Sequence, residues 1–174
     1  MSGAEKGGCF VKKGFTLIEL LAVIGIIMLL AGLLFPAFRA ARESARRAKA
    51  KADVKQVDTA FKSVLLDYRV FDGGLSPSGS GQDMDSGKVA YLRGGNTKGV
   101  VYMEFDQAAI TGGFADPWSK PAQPQLYRVA LKNSTAGEAV TIVACGETIA
   151  RQVAVWSKGI DRTEGTKDDV KSWE

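Results

Sequence analysis

Histidine is missing from all 174 residues. That absence excludes His-dependent nucleophilic triads and removes the side chain that most often binds metals. Cysteine is nearly missing too: only Cys9 and Cys145 occur, so there is no CxxC pair and no zinc cluster. Loss of the first fourteen residues would leave Cys145 alone, with no intramolecular disulfide open to it. The chain has no P-loop, no GxGxxG set between a strand and a helix, and no internal repeat. With these constellations gone, the chain is expected not to be an enzyme. Proline is sparse, with five residues, but fourteen of twenty glycines follow position 72, which predicts a second half rich in turns.

Positive charge is unevenly placed. Residues 1–55 hold ten Lys or Arg against four Asp or Glu, and residues 56–174 hold thirteen against fifteen. The net charge of +4 therefore describes a basic N-terminal segment, and nucleic-acid binding by the distal part is not expected. The length suits one globular domain with appendages.

What stands out is KKGFTLIELLAVIGIIMLLAGLLFPAF, residues 12–38. Nineteen consecutive residues, 20–38, carry no charge. At ~1.5 Å rise per residue such a run spans roughly the hydrocarbon core of a bilayer. It exceeds the ~7–15 apolar residues of a cleaved secretory signal, and a basic helix rather than a small-residue cleavage site follows it. A plain anchor has no use for Glu19, because a carboxylate inside an apolar membrane helix is costly and marks a functional site by default.

Lys12-Lys13-Gly14 followed by Phe15-Thr16-Leu17-Ile18-Glu19 resembles the class III signal of type IV pilins and type II secretion pseudopilins. The resemblance implies that a membrane prepilin peptidase and N-methyltransferase cuts between Gly14 and Phe15 and methylates Phe15. It also matches the family's glutamate to Glu19 and its kink proline to Pro36. Cleavage would create a cationic amine on Phe15, one helical turn from Glu19 in the same chain. Between stacked subunits, the amine of an incoming chain would instead neutralise Glu19 of its neighbour and fix the stagger, because an unpaired charge in apolar surroundings is strongly unfavourable. Glu19 is therefore expected to be an assembly contact. One count points the other way: Arg39, Arg42, Arg46, Arg47, Lys49 and Lys51 follow the apolar run, and only Lys6, Lys12 and Lys13 precede it. The positive-inside rule alone would leave the C-terminal part in the cytoplasm. The cleavage signal is more specific than that statistical rule and implies a periplasmic head.

Beyond Pro36 the chain reads AFRAARESARRAKAKADVKQVDTAFKSVLLDYRVFDGG. Ala, Arg and Lys are strong helix formers, and Val57, Phe61, Val64, Leu65 and Tyr68 recur at helical spacing. One helix over residues 15–70 is predicted, kinked near Pro36 and stopped by Asp72-Gly73-Gly74. Its basic run reads as a solvated or phospholipid-facing segment. Residues 72–99 read as loop with a short apolar interruption at 89–92. Strands are predicted over 100–105, 125–132, 139–145 and 152–158, the second with Tyr127, Val129 and Leu131 on one face. The fold class is α+β: a long N-terminal helix, membrane-spanning in its first half, with its distal half packed on a small antiparallel sheet. The expected divisions are a leader at 1–14, a transmembrane and assembly helix at 15–38, its amphipathic continuation at 39–71, and the head at 72–174.

Two further stretches resemble the major pseudopilins of type II secretion. They are Asp116-Pro117-Trp118 before Tyr127-Arg128, and the closing VWSKGIDRTEGTKDDVKSW. The resemblance implies a Ca²⁺ ion held by Asp161, Asp168 and Asp169, and hard oxygen donors on a flexible loop suit that ion. The spacing is not that of an EF-hand, Arg162 stands where the family often has glycine, and Lys158 and Lys167 dilute the acidity. A solvated acidic turn is the alternative. Many pilins close a C-terminal loop with a disulfide, which Cys145 alone cannot form; this favours the pseudopilin. The implied function is a structural subunit of a type II secretion pseudopilus in the inner membrane. It would be a homopolymer growing with minor pseudopilins on an inner-membrane secretion platform to help export folded proteins. A type IV pilus subunit for adhesion, motility or DNA uptake is the alternative.

Overall fold

The computed structural model of the chain describes residues 14–71, 74–134 and 140–174. They fall into two compact units, one ending at Arg42 and the other running from Glu43 to Glu174. Helix α1, Leu17–Tyr68, belongs to both and runs on through Pro36.

In the first unit every described side chain is exposed, including the Leu, Ile and Phe residues of the apolar run. With a mean hydropathy of 2.8 over its most apolar stretch, this part of α1 is long and apolar enough to cross a membrane. The run ends in a belt of paired side chains. Arg39 lies 4.6 Å above the Phe35 ring and Arg42 lies 5.9 Å above that of Phe38, an arrangement suited to a headgroup boundary.

In the second unit α1 presents Ala50, Val54, Val57, Phe61 and Val64 as a fully buried stripe. The 3–4-residue spacing keeps them on one helix face, and the stripe is the floor of the main core. The helix stops at Tyr68, where Arg69 turns to φ 65° and its N–H reaches Leu65 O at 2.9 Å, the left-handed closure common at helix ends. The expected end, residue 70, lay two residues later, and Asp72 and Gly73 of the expected stop signal fall outside the described residues.

Strands β1 (Gln82–Asp83), β2 (Arg128–Leu131), β5 (Val153–Ser157) and β6 (Val170–Lys171) form an antiparallel sheet in the order β1-β2-β5-β6. Val129 faces Val155 and Arg128 faces Trp156 across the central pair. Tyr127, Val129 and Leu131 do share a face, and they pack into the main core with α1. The other face is buried as well. Ala130, Ala154 and Trp156 meet Ile142, Ala144 and Cys145 of a separate hairpin, β3 (Ile142–Ala144) with β4 (Glu147–Ile149). The sheet is thus covered by the helix on one side and by the hairpin on the other, so β5 is buried along its whole length.

Several expectations are corrected. Residues 100–105 form no strand: the N–H groups of Tyr102 and Met103 both turn to Leu92 O, and only Val101 makes an isolated bridge, to Arg93. The apolar residues 89–92 are not an interruption in a loop but the end of helix α2 (Ser86–Leu92), capped by Asp85 on the Lys88 N–H at 3.0 Å. Helix α3 (Gln107–Gly112) is capped the same way by Asp106 and was not anticipated. The third strand is shorter than expected and pairs with β4 instead of extending the sheet; residue 139 lies outside the described residues. Strand β6, two residues long, is too short for an alternation signal to show.

Candidate assembly and loop-closure sites

Gly14, Phe15 and Thr16 precede α1 as irregular, exposed backbone. Thr16 then starts the helix in a reciprocal cap. Its N–H and its hydroxyl donate to Glu19 Oε2 at 2.9 and 2.6 Å, and the Glu19 N–H donates back to Thr16 Oγ1 at 3.3 Å. A Thr and a Glu three residues apart satisfy the orphan N–H groups of a first turn in this way. Glu19 therefore has a local task in the single chain in addition to the expected one between chains. Lys12 and Lys13 lie outside the described residues.

At the other end, residues 158–169 leave β5 and return to β6 as a loop. Asp168 takes the N–H groups of Ile160 and Asp161 on Oδ2 at 2.7 and 3.1 Å and the Thr166 hydroxyl on Oδ1 at 2.7 Å. Burial works against its charge, but these hydrogen bonds outweigh it and hold its pKa below the ordinary aspartate value. Asp169 is buried, and its Oδ2 accepts from Gly165 N–H at 2.7 Å, Thr166 N–H at 2.9 Å and the Cys145 thiol. Its Oδ1 is buried without a partner. The thiol is pushed up to about 12, by burial first and then by Asp169 itself, so it stays protonated and able to donate. Asp161 lies apart and exposed, its Oδ1 receiving the Thr163 N–H at 2.8 Å. Among the described residues no three Asp, Glu, Cys or His side chains are grouped as a metal site requires.

Beneath this loop sits a buried polar network. Asp116 accepts from Gln125 Nε2 and Ser157 Oγ at 2.5 and 2.6 Å and from Trp118 N–H at 3.1 Å. Burial raises its pKa, and the hydrogen bonds only partly offset that. Gln125 also holds Gly159 O, and Ser157 Oγ accepts the Gly159 N–H. Trp118 is packed in the core and points its indole N–H at both oxygens of Glu43 on α1, each at 3.2 Å. On the far side, Lys55 of α1 donates to Ser172 O at 2.5 Å. The Asp-Pro-Trp stretch and the chain's closing segment are both tied to the helix.

Residues 10–35 match the family model for the prokaryotic N-terminal methylation motif. Along the rest of the chain, the similarity is to proteins named type II secretion system core protein G. That of Aeromonas hydrophila is 26% identical, over 93% of this chain and 92% of the relative. The Klebsiella michiganensis protein is 25% identical, covering 93% of each, and the Pectobacterium carotovorum protein is 28% identical over 93% of this chain and 85% of its own. The chain thus carries the N-terminal methylation motif and is similar over most of its length to type II secretion core protein G. No solved structure gives a significant match to this pilin-like chain.

For a pilin-like subunit, the sequence singled out the helix-start residues and the Asp-Pro-Trp stretch, and the structure puts both in organised settings. It brings Asp168 and Asp169 into one loop; Asp161 joins them through its N–H, which donates to Asp168, while its carboxylate turns to the Thr163 N–H. Two participants were passed over. Cys145 was weighed only as a disulfide partner, yet it is the turn residue whose thiol meets Asp169. Glu43 sits in an Arg-rich helical run, where nothing in the local pattern marks it as the partner of a tryptophan 75 residues away.

Proposed function

We propose that this chain is a structural, non-catalytic subunit of a type II secretion pseudopilus. The observation that carries the reading is joint: the methylation motif lies on an apolar helix, and similarity to core protein G continues through the head over 93% of the chain. The apolar half of α1 anchors the subunit in the inner membrane before assembly, with the head in the periplasm. A prepilin peptidase cuts Gly14–Phe15, an exposed bond ahead of the helix, and methylates Phe15. Subunits then stack through their apolar helices, the Phe15 amine of one against Glu19 of the next, on an inner-membrane secretion platform with minor pseudopilins. Pro36 lies within the stacked stretch and would ease local bending there by removing one helical hydrogen bond.

Mass spectrometry of the membrane-extracted protein should return an N-terminal methylated Phe15; an intact leader in cells with a working prepilin peptidase would refute the processing step. Deleting the gene should leave folded cargo in the periplasm while surface motility continues. The opposite outcome, normal secretion with lost motility, would assign the chain to a type IV pilus instead.

A further inference from the structure

We propose that the C-terminal loop of this chain is locked by its own N–H groups and the Cys145 thiol acting on Asp168 and Asp169, with no divalent cation. A calcium cage presents six to eight oxygens to the ion, many of them backbone carbonyls. The groups that converge on these two aspartates are of the opposite polarity. Ile160, Asp161, Gly165 and Thr166 direct backbone N–H groups at the carboxylates, and Thr166 and Cys145 add a hydroxyl and a thiol.

The backbone explains why the polarity is reversed. Gly159 (φ 66°), Arg162 (φ 64°) and Gly165 (φ 88°) are left-handed. Left-handed residues among right-handed ones turn successive peptides so that their N–H groups form a concavity that receives anions. In this loop the anion is the chain's own carboxylate. Asp161, which a cation would need as a third ligand, is engaged instead with Thr163. Of the four carboxylate oxygens of Asp168 and Asp169, Asp169 Oδ1 is the one buried without a partner, a single ligand where several are required. Between Lys158 and Lys171 cations equal carboxylates in number, so the loop has no net negative charge to draw a divalent ion.

Cys145 gives independent support. It occupies a left-handed position, φ 54°, ahead of Gly146 at φ 77°, in the two-residue turn joining β3 and β4. Such a turn favours Asn, Asp or Gly at its first position, and a cysteine there is strained. What the cysteine adds is a donor held in the protonated state and placed on Asp169 of the loop. The hairpin therefore bolts the loop down, doing the work of a disulfide or an ion with a single thiol.

The test is thermal unfolding of the full chain in detergent, followed by tryptophan fluorescence, in EDTA and in millimolar calcium. Trp156 and Trp173, with ring centroids 6.0 Å apart, report from beside the loop. The wild-type midpoint should move by less than about 1 °C between the two conditions, since no ion is linked to the folded state. Asp169→Ala, which strands three donors, should lower the midpoint by roughly 5–10 °C in both buffers. Asp161→Ala should stay within about 2 °C of wild type. Cys145→Ser, which keeps a donor, should melt above Cys145→Ala. A calcium-dependent rise of several degrees in the wild type, abolished in Asp161→Ala, would overturn the proposal. The wild-type comparison decides this even if a variant fails to fold.

Discussion

Glu19→Ala is expected to insert in the membrane and to be cleaved at Gly14–Phe15, yet to yield filaments at roughly a hundredth of the wild-type level or less. Removing a carboxylate from an apolar helix eases insertion, and Gly14 is untouched. The incoming Phe15 amine, however, would meet no counter-charge in surroundings too apolar to solvate it. The helix-start geometry makes a sharper variant available. Glu19 also caps its own first turn through Thr16, so alanine removes two functions at once. Glu19→Gln retains an oxygen that can accept from Thr16, as glutamine does in a capping box, but it carries no charge. If the assembly contact is electrostatic, the Gln variant should assemble as poorly as the Ala variant. Thr16→Ala, which loses the cap and keeps the charge, should retain assembly above both. Wild-type filament yield from Glu19→Gln would reduce the glutamate to a helix cap.

Gly159→Ala should be the most damaging single-methyl change in the head. Gly159 lies at φ 66°, where an L side chain is strained by ~1–3 kcal/mol. An added Cβ would also lie 2.5 Å from the Asp168 carbonyl oxygen, and closer still to its carboxylate. Backbone on that side cannot rotate away, because Asp168 is fixed by Ile160 and Asp161 while Gly159 O is held by the buried Gln125. A combined loss of about 3 kcal/mol or more is expected, a fall in the melting midpoint of roughly 10 °C. Two other glycines separate the causes. Gly146→Ala, at φ 77° with open space around its Cβ, should show the conformational strain alone. Gly112→Ala, in α3 and unobstructed, should be close to neutral. A Gly159→Ala protein melting with Gly146→Ala would mean that the loop does not press on Asp168 as described.

How much of this was legible in the sequence depends on the range of the interactions involved. The helix was read to within two residues at each end, 15–70 against Leu17–Tyr68, because its signals are local: helix-forming residues, a 3–4-residue apolar stripe and the Asp72-Gly73-Gly74 stop. The membrane run and the processing motif are likewise contiguous, and each needs only neighbouring residues to act. The α+β class followed from the same stripe together with the alternation around Tyr127, Val129 and Leu131.

The head was decided at longer range. Residues 100–105 have strand-like composition, but Leu92 O offered their N–H groups a nearer partner than any sheet edge. Residues 89–92 looked too short for a helix until Asp85 capped them. The acidic loop shows the limit most clearly. In sequence, Asp161, Asp168 and Asp169 are three equivalent carboxylates, and it is the family resemblance that implies a cation for them. Backbone left-handedness at Gly159, Arg162 and Gly165, together with a thiol delivered from the β3–β4 turn, gives Asp168 and Asp169 N–H partners and leaves Asp161 aside. By itself the sequence determined the helix, the long apolar run and the methylation motif, since those rest on residue type and spacing along one element. Only the tertiary structure decided what the carboxylates face, because the orientation of a peptide group depends on the chain around it and not on the residue that carries it.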